Sequence, residues 1–296
     1  EMTNRPFGAR LAGAMETRGP LCVGIDPHPS LLAAWGLEMT PSGLERFAMT
    51  AVEALAPEVA VLKPQSAFFE AFGSAGIAVL ERVLAASRDA GALLLLDAKR
   101  GDIGSTMAAY ARAYLTDGSP LAADALTVSP FLGFGSLGPA IDAALGSGRG
   151  LFVLCRTSNP EGASVQLAAV PDAPARSAAG SAPPMTLSAQ IACAAADLNA
   201  GTGPMGSIGL VVGATVADVG ADLADALARV NGPLLAPGIG AQGATAADLT
   251  RVFGAALDRV LPTASRSVLD AGPSVRGLRD AAARTLDEVR SALGAG

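Results

Sequence analysis

Short apolar runs alternate with longer amphipathic stretches along the whole chain. Eight runs read as strands: residues 21–25, 59–62, 93–96, 124–128, 151–155, 208–212, 234–236 and 260–263. They are nearly continuous in apolar residues, the mark of strands buried on both faces of a parallel sheet. Between them the period lengthens to that of helices. The helical stretches are about 40–55, a region ending near 90 and interrupted at Gly73 and Gly76, then 105–115, 138–145, 187–199, 216–229 and 245–256. Amphipathic segments 6–18 and 275–293 flank the series. Pro27 and Pro29, on either side of His28, predict a stop to regular structure after the first strand.

Alternating strand and helix implies parallel strands with helices packed outside them. Eight such units in 296 residues, with no linker between halves, predict an α/β fold: a (β/α)8 TIM barrel in one domain, 1–296. A doubly wound open sheet is the alternative, but the first turn lacks a GxGxxG. Residues 168–184, rich in Ala, Pro and Ser, lack either period. They predict an irregular insertion after strand five, about 163–186.

Composition narrows the setting. Half of the residues are apolar, enough for a large core, yet no run has the length and freedom from charge of a membrane span. The first eighteen residues lack a signal peptide's apolar centre, which predicts a cytoplasmic protein. A net charge of −6 argues against a general nucleic-acid or membrane binder but leaves room for a local basic pocket. Cys22, Cys155 and Cys193 are odd in number and far apart, so they read as reduced thiols, with a disulfide or metal as the alternative. No Cys/His cluster has metal-ligand spacing.

The cations change the picture. Of 21 basic residues only two are lysines, Lys63 and Lys99, each closely following an apolar run. Where arginine serves as the general surface cation, a compact and tunable ammonium looks chosen for chemistry; chance is the competing explanation. Barrel sites lie at the C-terminal ends of strands, and those ends carry Asp26, Lys63, Asp97, Lys99, Ser158, Gln242 and Arg266. Asp97 and Lys99 point the same way along strand three. Asp102 follows the turn at Gly101, and Ser105 and Thr106 open the next helix. The last two loops pair Pro237-Gly-Ile-Gly-Ala-Gln242-Gly243 with Ser265-Arg266. Glycine-rich backbone and an arginine at strands seven and eight suit a phosphate. An ordinary glycine loop with a surface arginine remains the alternative, as does a structural ion-pair network for the acid and lysine cluster. His28 reads as a loop residue rather than a base.

The stretch Asp97-Ala-Lys99-Arg-Gly-Asp102-Ile-Gly-Ser-Thr106 resembles the signature of the orotidine 5'-phosphate decarboxylase family. The whole chain is similar to that family's longer-chain branch over about residues 20–269. Supporting stretches are Val23-Gly-Ile-Asp26-Pro-His-Pro, Leu62-Lys63-Pro-Gln-Ser-Ala-Phe-Phe-Glu70, Thr157-Ser158-Asn-Pro-Glu-Gly162 and the two loops quoted above. Ser129-Pro130-Phe131 departs from the Asn-Pro-Tyr of that branch.

The resemblance implies removal of CO2 from orotidine 5'-monophosphate to give UMP, the last step of de novo pyrimidine nucleotide synthesis. It also implies no metal, Schiff base or organic cofactor. Lys99 would protonate C6, and Asp97 would sit at the substrate carboxylate. A homodimer is implied, in which Asp102 and Thr106 reach the partner's site and complete an array with Lys63, Asp97 and Lys99. Lys63 and Asp26 would contact the ribose, Ser158 the pyrimidine and Pro237 the face of the base. Gln242, Gly243, Ser265 and Arg266 would surround the phosphate. A magnesium-dependent phosphosugar lyase or β-keto acid decarboxylase of the same barrel group is the rival enzyme. A nucleotide-binding sensor is the rival from another class.

Overall fold

The computed structural model describes residues 5–170, 184–216, 219–238 and 244–294. Eight parallel strands close on themselves: β1 (Cys22–Ile25), β2 (Val61–Pro64), β3 (Leu93–Arg100), β4 (Ala125–Val128), β5 (Gly150–Arg156), β6 (Ile208–Val212), β7 (Leu234–Pro237) and β8 (Val260–Ala264). Each strand pairs with its neighbours in chain order, and β8 returns to β1 with Cys22 opposite Thr263. This is the (β/α)8 barrel that the period of the chain predicts.

Alternation along the strands makes two cores and also places the polar groups. Cys22, Val61, Leu95, Ala125, Phe152, Val211, Leu235 and Leu261 point inward and form one apolar cluster. Their neighbours Val23, Leu62, Leu94, Leu96, Leu126, Val153 and Leu210 point outward, into the layer between strands and helices. Helix α1 (Phe7–Arg18) covers the N-terminal end of the barrel. There Phe7 meets Phe152 edge to face at 6.1 Å. Two residues further along each strand the same inward face reaches the opposite mouth. Those positions are Lys63, Asp97, Thr127, Leu154, Gly213, Pro237 and Thr263, and Asp26 lies four residues beyond Cys22; all line one cavity. The apolar floor and the polar rim are thus one pattern read at two heights.

Several local expectations change. The chain after Pro27 is helical: α2 (Pro29–Ala34) has Pro29 at its start, where a missing N–H costs nothing. α3 (Pro41–Leu55) follows, capped by the Thr40 hydroxyl. The region to residue 90 divides into α4 (Ser66–Glu70) and α5 (Gly73–Asp89). Gly76 does not interrupt α5. It lets the helix approach the Phe69 carbonyl, which a Cβ there would meet at 1.9 Å.

β3 outlasts its leucines, with a register shift against β4 between Leu96 and Arg100. α6 (Gly104–Leu115) and α7 (Gly138–Gly146) match their periods. The insertion begins with α8 (Ala163–Gln166) and includes a two-residue antiparallel ladder, Ala169 with Thr186 and Val170 with Met185. Residues 171–183, most of the irregular stretch, lie outside the described residues. α9 (Leu187–Asn199) matches its period, whereas α10 (Ala221–Arg229) starts later than residue 216. Gly220 at φ 72° turns the chain immediately before it. After α11 (Ala246–Phe253) a 3-10 turn replaces the expected last helical residues, and α12 (Arg266–Leu269) and α13 (Val275–Ala292) complete the series. No helix among the described residues is long and apolar enough to cross a membrane.

Candidate active site

The mouth cavity holds about 390 Å³. Asp97 stands at its centre because β3 delivers it inward two residues past Leu95. Its Oδ1 accepts from Lys99 Nζ at 2.7 Å and from Thr127 Oγ1 at 2.8 Å, while Oδ2 accepts from Lys63 Nζ at 3.3 Å. Lys63 and Asp97 are buried, whereas the Lys99 side chain keeps 47% of its exposure and so remains free to meet a ligand. Burial by itself would raise the Asp97 pKa, but the Lys63 and Lys99 ammonium groups hold it down at about 2. Burial likewise pushes Lys63 down, and the Asp26 and Asp97 carboxylates more than offset this, so its pKa lies above the ordinary lysine value. Cys22, below them in the floor, is pushed up to about 12 by burial and is an inert thiol.

Thr127 is a member of this cluster that sequence reasoning missed. Besides donating to Asp97, its hydroxyl accepts from the backbone N–H of both Ala98 and Lys99 at 3.0 Å. It therefore fixes the bent end of β3 as well as the carboxylate. An isolated threonine in an apolar strand carries no such signal until β4 is known to lie beside β3.

The remaining wall comes from the ends of four other strands. Asp26 Oδ2 accepts from Ser265 Oγ at 2.5 Å, and Oδ1 is buried with no partner among the described residues. An unpaired buried acceptor is costly, and this one lines the cavity. Ser158, Pro237, Ser265 and Arg266 line it too, with Arg266 at the start of α12, three strands round the barrel from Asp97. His28 lines the rim with its ring 4.3 Å from Phe68.

The loop that carries Ser158 is tied to the insertion. Gln166 accepts from Thr157 N at 2.9 Å and donates to Thr157 Oγ1 at 2.7 Å, and Thr157 Oγ1 donates to Asn159 Oδ1 at 2.6 Å. Gln166, nine residues from its partner, is a second contributor the sequence did not single out.

Two groups of expected residues do not join the cavity. Asp102 and Thr106 lie past the end of β3, Asp102 half-buried and Thr106 exposed, and neither lines the mouth of its own barrel. At Gly101, between them and Lys99, the constraint is close approach rather than a left-handed φ. A Cβ at Gly101 would meet the Ser129 carbonyl at 2.5 Å. Gln242 and Gly243 lie outside the described residues. Among the described residues no group of three His, Cys, Asp or Glu side chains is arranged to hold a metal ion.

Taken together, the cavity offers a buried acid between two lysines on one wall and an arginine with two serines on the others. Such an array can hold a dianion at one end and stabilise a developing negative charge at the other.

Residues 19–281 match the family model described as Orotidine 5'-phosphate decarboxylase / HUMPS family. An orotidine 5'-phosphate decarboxylase of Salinispora arenicola is 60% identical over 287 residues, covering 97% of this chain and 98% of that one. One from Streptomyces coelicolor is 60% identical over 289 residues, with the same coverage. A Streptomyces avermitilis crystal structure, 58% identical, superposes with a TM-score of 0.90 over 99% of this chain and 98% of its own. The Leishmania donovani OMP decarboxylase structure is 31% identical, with a TM-score of 0.73 over 98% of this chain and all of that one. Full-length identity at this level, on the same closed barrel, establishes that the chain belongs to the orotidine 5'-phosphate decarboxylase / HUMPS family.

Proposed function

We propose that this chain decarboxylates orotidine 5'-monophosphate to UMP, the last step of de novo pyrimidine nucleotide synthesis, with Lys99 as the proton donor. The observation that carries the Lys99 assignment is the Lys63–Asp97–Lys99 array, with its exposed ammonium 2.7 Å from the buried acid.

The chemistry sets a hard demand. Breaking the bond from C6 to the carboxylate leaves an electron pair in the plane of the ring, where it cannot delocalise into the π system. A fixed cation beside C6 answers that demand. As CO2 leaves, the pair develops at C6 and takes a proton from Lys99 Nζ; the neutral amine then regains a proton from water. Two unit charges 4 Å apart interact by roughly 4 kcal/mol at an effective dielectric of 20. Enzymatic barrier reductions run to about 8–23 kcal/mol. Repulsion between Asp97 and the substrate carboxylate therefore supplies only part of the effect. Attraction to Lys99 grows as charge moves to C6, so it acts on the transition state. Asp97 holds the Lys99 ammonium in position until then.

In this reading Asp26 and Lys63 take the ribose hydroxyls, and the unpaired Asp26 Oδ1 is the acceptor such a hydroxyl satisfies. Ser158 reads the pyrimidine and Pro237 packs against it. Ser265 and Arg266, with Gln242 and Gly243, hold the phosphate.

The working unit is a homodimer in which Asp102 and Thr106 serve the partner's site. Their absence from their own cavity supports this, as do the exposed apolar side chains beside them. Ile103 is 61% and Phe131 75% exposed, on adjacent loops leaving β3 and β4. Free thiols at all three cysteines suit a reducing, cytoplasmic setting.

The deciding experiment follows the loss of absorbance as orotidine 5'-monophosphate is consumed, with EDTA present. Turnover that is indifferent to EDTA is expected. Turnover abolished by the chelator would favour a magnesium-dependent relative, and tight UMP binding without turnover would favour a sensor.

A further inference from the structure

A second cavity, of about 560 Å³, lies at the opposite end of the barrel and shares no lining residue with the mouth. Leu93 lines it at one end of β3 while Asp97 and Lys99 line the mouth at the other. Arg5, Arg10, Arg18, Arg88 and Arg149 surround it, with only two carboxylates, Asp117 and Asp124. Asp124 pairs with Arg10 at 2.5 Å and Asp117 with Arg149 at 2.6 Å. Among the described residues Arg5, Arg18 and Arg88 have no carboxylate within pairing distance. Three uncompensated guanidinium groups around one hollow run against the chain's net charge of −6.

Capping of loop carbonyls accounts for part of this cluster. Arg18 donates to the carbonyls of Ala56, Val59 and Gly91. The same role does not account for the rest. Arg88 uses one donor, to Ala122 O, and the Arg5 guanidinium has no hydrogen-bond partner among the described residues. Arg149 Nε is buried with no partner. Buried donors are almost always satisfied, and clustered like charges repel unless an anion sits among them.

We propose that this cavity binds an oligophosphate: a nucleoside di- or triphosphate, or inorganic pyrophosphate. Guanidinium forks match phosphate oxygens in bidentate fashion, and three unpaired cations suit an anion carrying several charges. The volume falls in the range of small-molecule sites. Ala9, Gly13 and Ala14 on α1 make a smooth wall with room for a flat group beside the phosphates.

The test is isothermal titration of the protein with its mouth first saturated with UMP. Pyrophosphate, ATP and UTP are the separate titrants, without magnesium. Binding by all three with similar affinity supports a site for the phosphates alone. Tighter binding of a nucleotide supports use of the smooth wall as well. In either case the double variant Arg5→Gln/Arg88→Gln should weaken binding by about tenfold or more. Its turnover of orotidine 5'-monophosphate should stay unchanged. Arg88→Lys alone keeps the charge and should retain most of the affinity, which separates loss of a cation from loss of the Ala122 contact. Rising salt should weaken binding in parallel. Absence of heat with all three titrants would overturn the proposal, as would binding that the double variant leaves intact or that further UMP displaces.

Discussion

Lys99 meets Asp97 from a bend within β3: Lys99 has φ 48°, and its Nζ lies 2.7 Å from Asp97 Oδ1. The left-handed region costs a residue with a Cβ roughly 1–2 kcal/mol. The bent end of β3 therefore stores strain at the residue assigned the chemistry, and strain of this kind gathers at functional sites. Two substitutions separate the roles. Lys99→Ala and Lys99→Gly should both lower turnover by roughly 10⁴-fold or more, since each removes the proton donor and the cation. In urea denaturation the glycine variant should be the more stable by about 1 kcal/mol, because glycine tolerates positive φ. Full activity in either variant would remove Lys99 from the mechanism. An alanine variant as stable as the glycine one would show that the bend carries no strain.

Thr127 is the residue whose loss should expose how the array is held. A valine there keeps the shape but strands two backbone N–H groups and one carboxylate lone pair. Leaving such groups unsatisfied costs about 1–3 kcal/mol. Thr127→Val should lose that much stability and about ten- to a hundredfold in kcat, with a smaller change in KM, because Asp97 and Lys99 lose their fixed geometry. Thr127→Ser, which keeps the hydroxyl, should restore most of both. Equal losses in the two variants would mean that packing by the methyl group matters more than the hydrogen bonds.

How much of this was legible beforehand follows from which contacts are local. The barrel was readable because strands covered on both faces carry unbroken apolar runs, and Leu93 to Leu96 is the clearest of them. The fate of Lys63, Asp97 and Lys99 was readable from alternation, together with the scarcity of lysine in an arginine-rich chain. Thr127 was hidden because its partners lie 28 to 30 residues away on the adjoining strand. Gln166 was hidden because the insertion folds back onto the loop it follows. Pro29 misled because proline both stops and starts helices, and only the following Leu31 and Leu32, both buried, show which. Gly101 was assigned a turning role, whereas the pressure on it comes from the Ser129 carbonyl of the next loop.

The shifts at Asp97 and Lys63 set a pH window. A carboxylate depressed in the folded state adds stability that is complete above its unfolded pKa and is lost as pH falls through the folded value. For Asp97 that loss runs from the ordinary aspartate range down to a folded pKa of about 2. It amounts to roughly 2 kcal/mol. Lys63, raised in the folded state, behaves in the opposite sense: its contribution is complete below the ordinary lysine value and lost as pH climbs past its folded value. Between about pH 5 and pH 9 Asp97 and Lys63 of the free enzyme both keep their charges. An acid limb near pH 6 would then report the second ionisation of the substrate phosphate rather than Asp97. Chemical denaturation from about pH 5 down to about pH 2 should show the wild type losing roughly 2 kcal/mol more than Asp97→Asn. Parallel curves would mean that the lysines do not hold Asp97 ionised.

Asp102 gives the sharpest test of the assembly. It leaves β3 beyond Gly101, bonds only to the Ile103 N–H at 2.8 Å among the described residues, and stays out of its own barrel's cavity. If it serves the partner, each active site draws Lys99 from one subunit and Asp102 from the other. A Lys99→Ala homodimer and an Asp102→Ala homodimer are then both defective at every site. After subunit exchange, a mixed dimer holds one site with Lys99 from the Asp102→Ala chain and Asp102 from the Lys99→Ala chain, which is a wild-type constellation. Its other site lacks both. Random mixing of equal amounts should therefore restore about a quarter of the sites, and with them about a quarter of wild-type activity. If Asp102 instead served its own barrel, every site in the mixture would lack one group and no recovery would appear. A differently tagged pair of chains, co-purified, establishes that exchange has occurred. Placing Phe131→Asp in both chains should suppress the recovery, because a charge on the apolar loop beside Ile103 opposes burial of that face. Recovery that survives Phe131→Asp would place the shared interface elsewhere on the barrel.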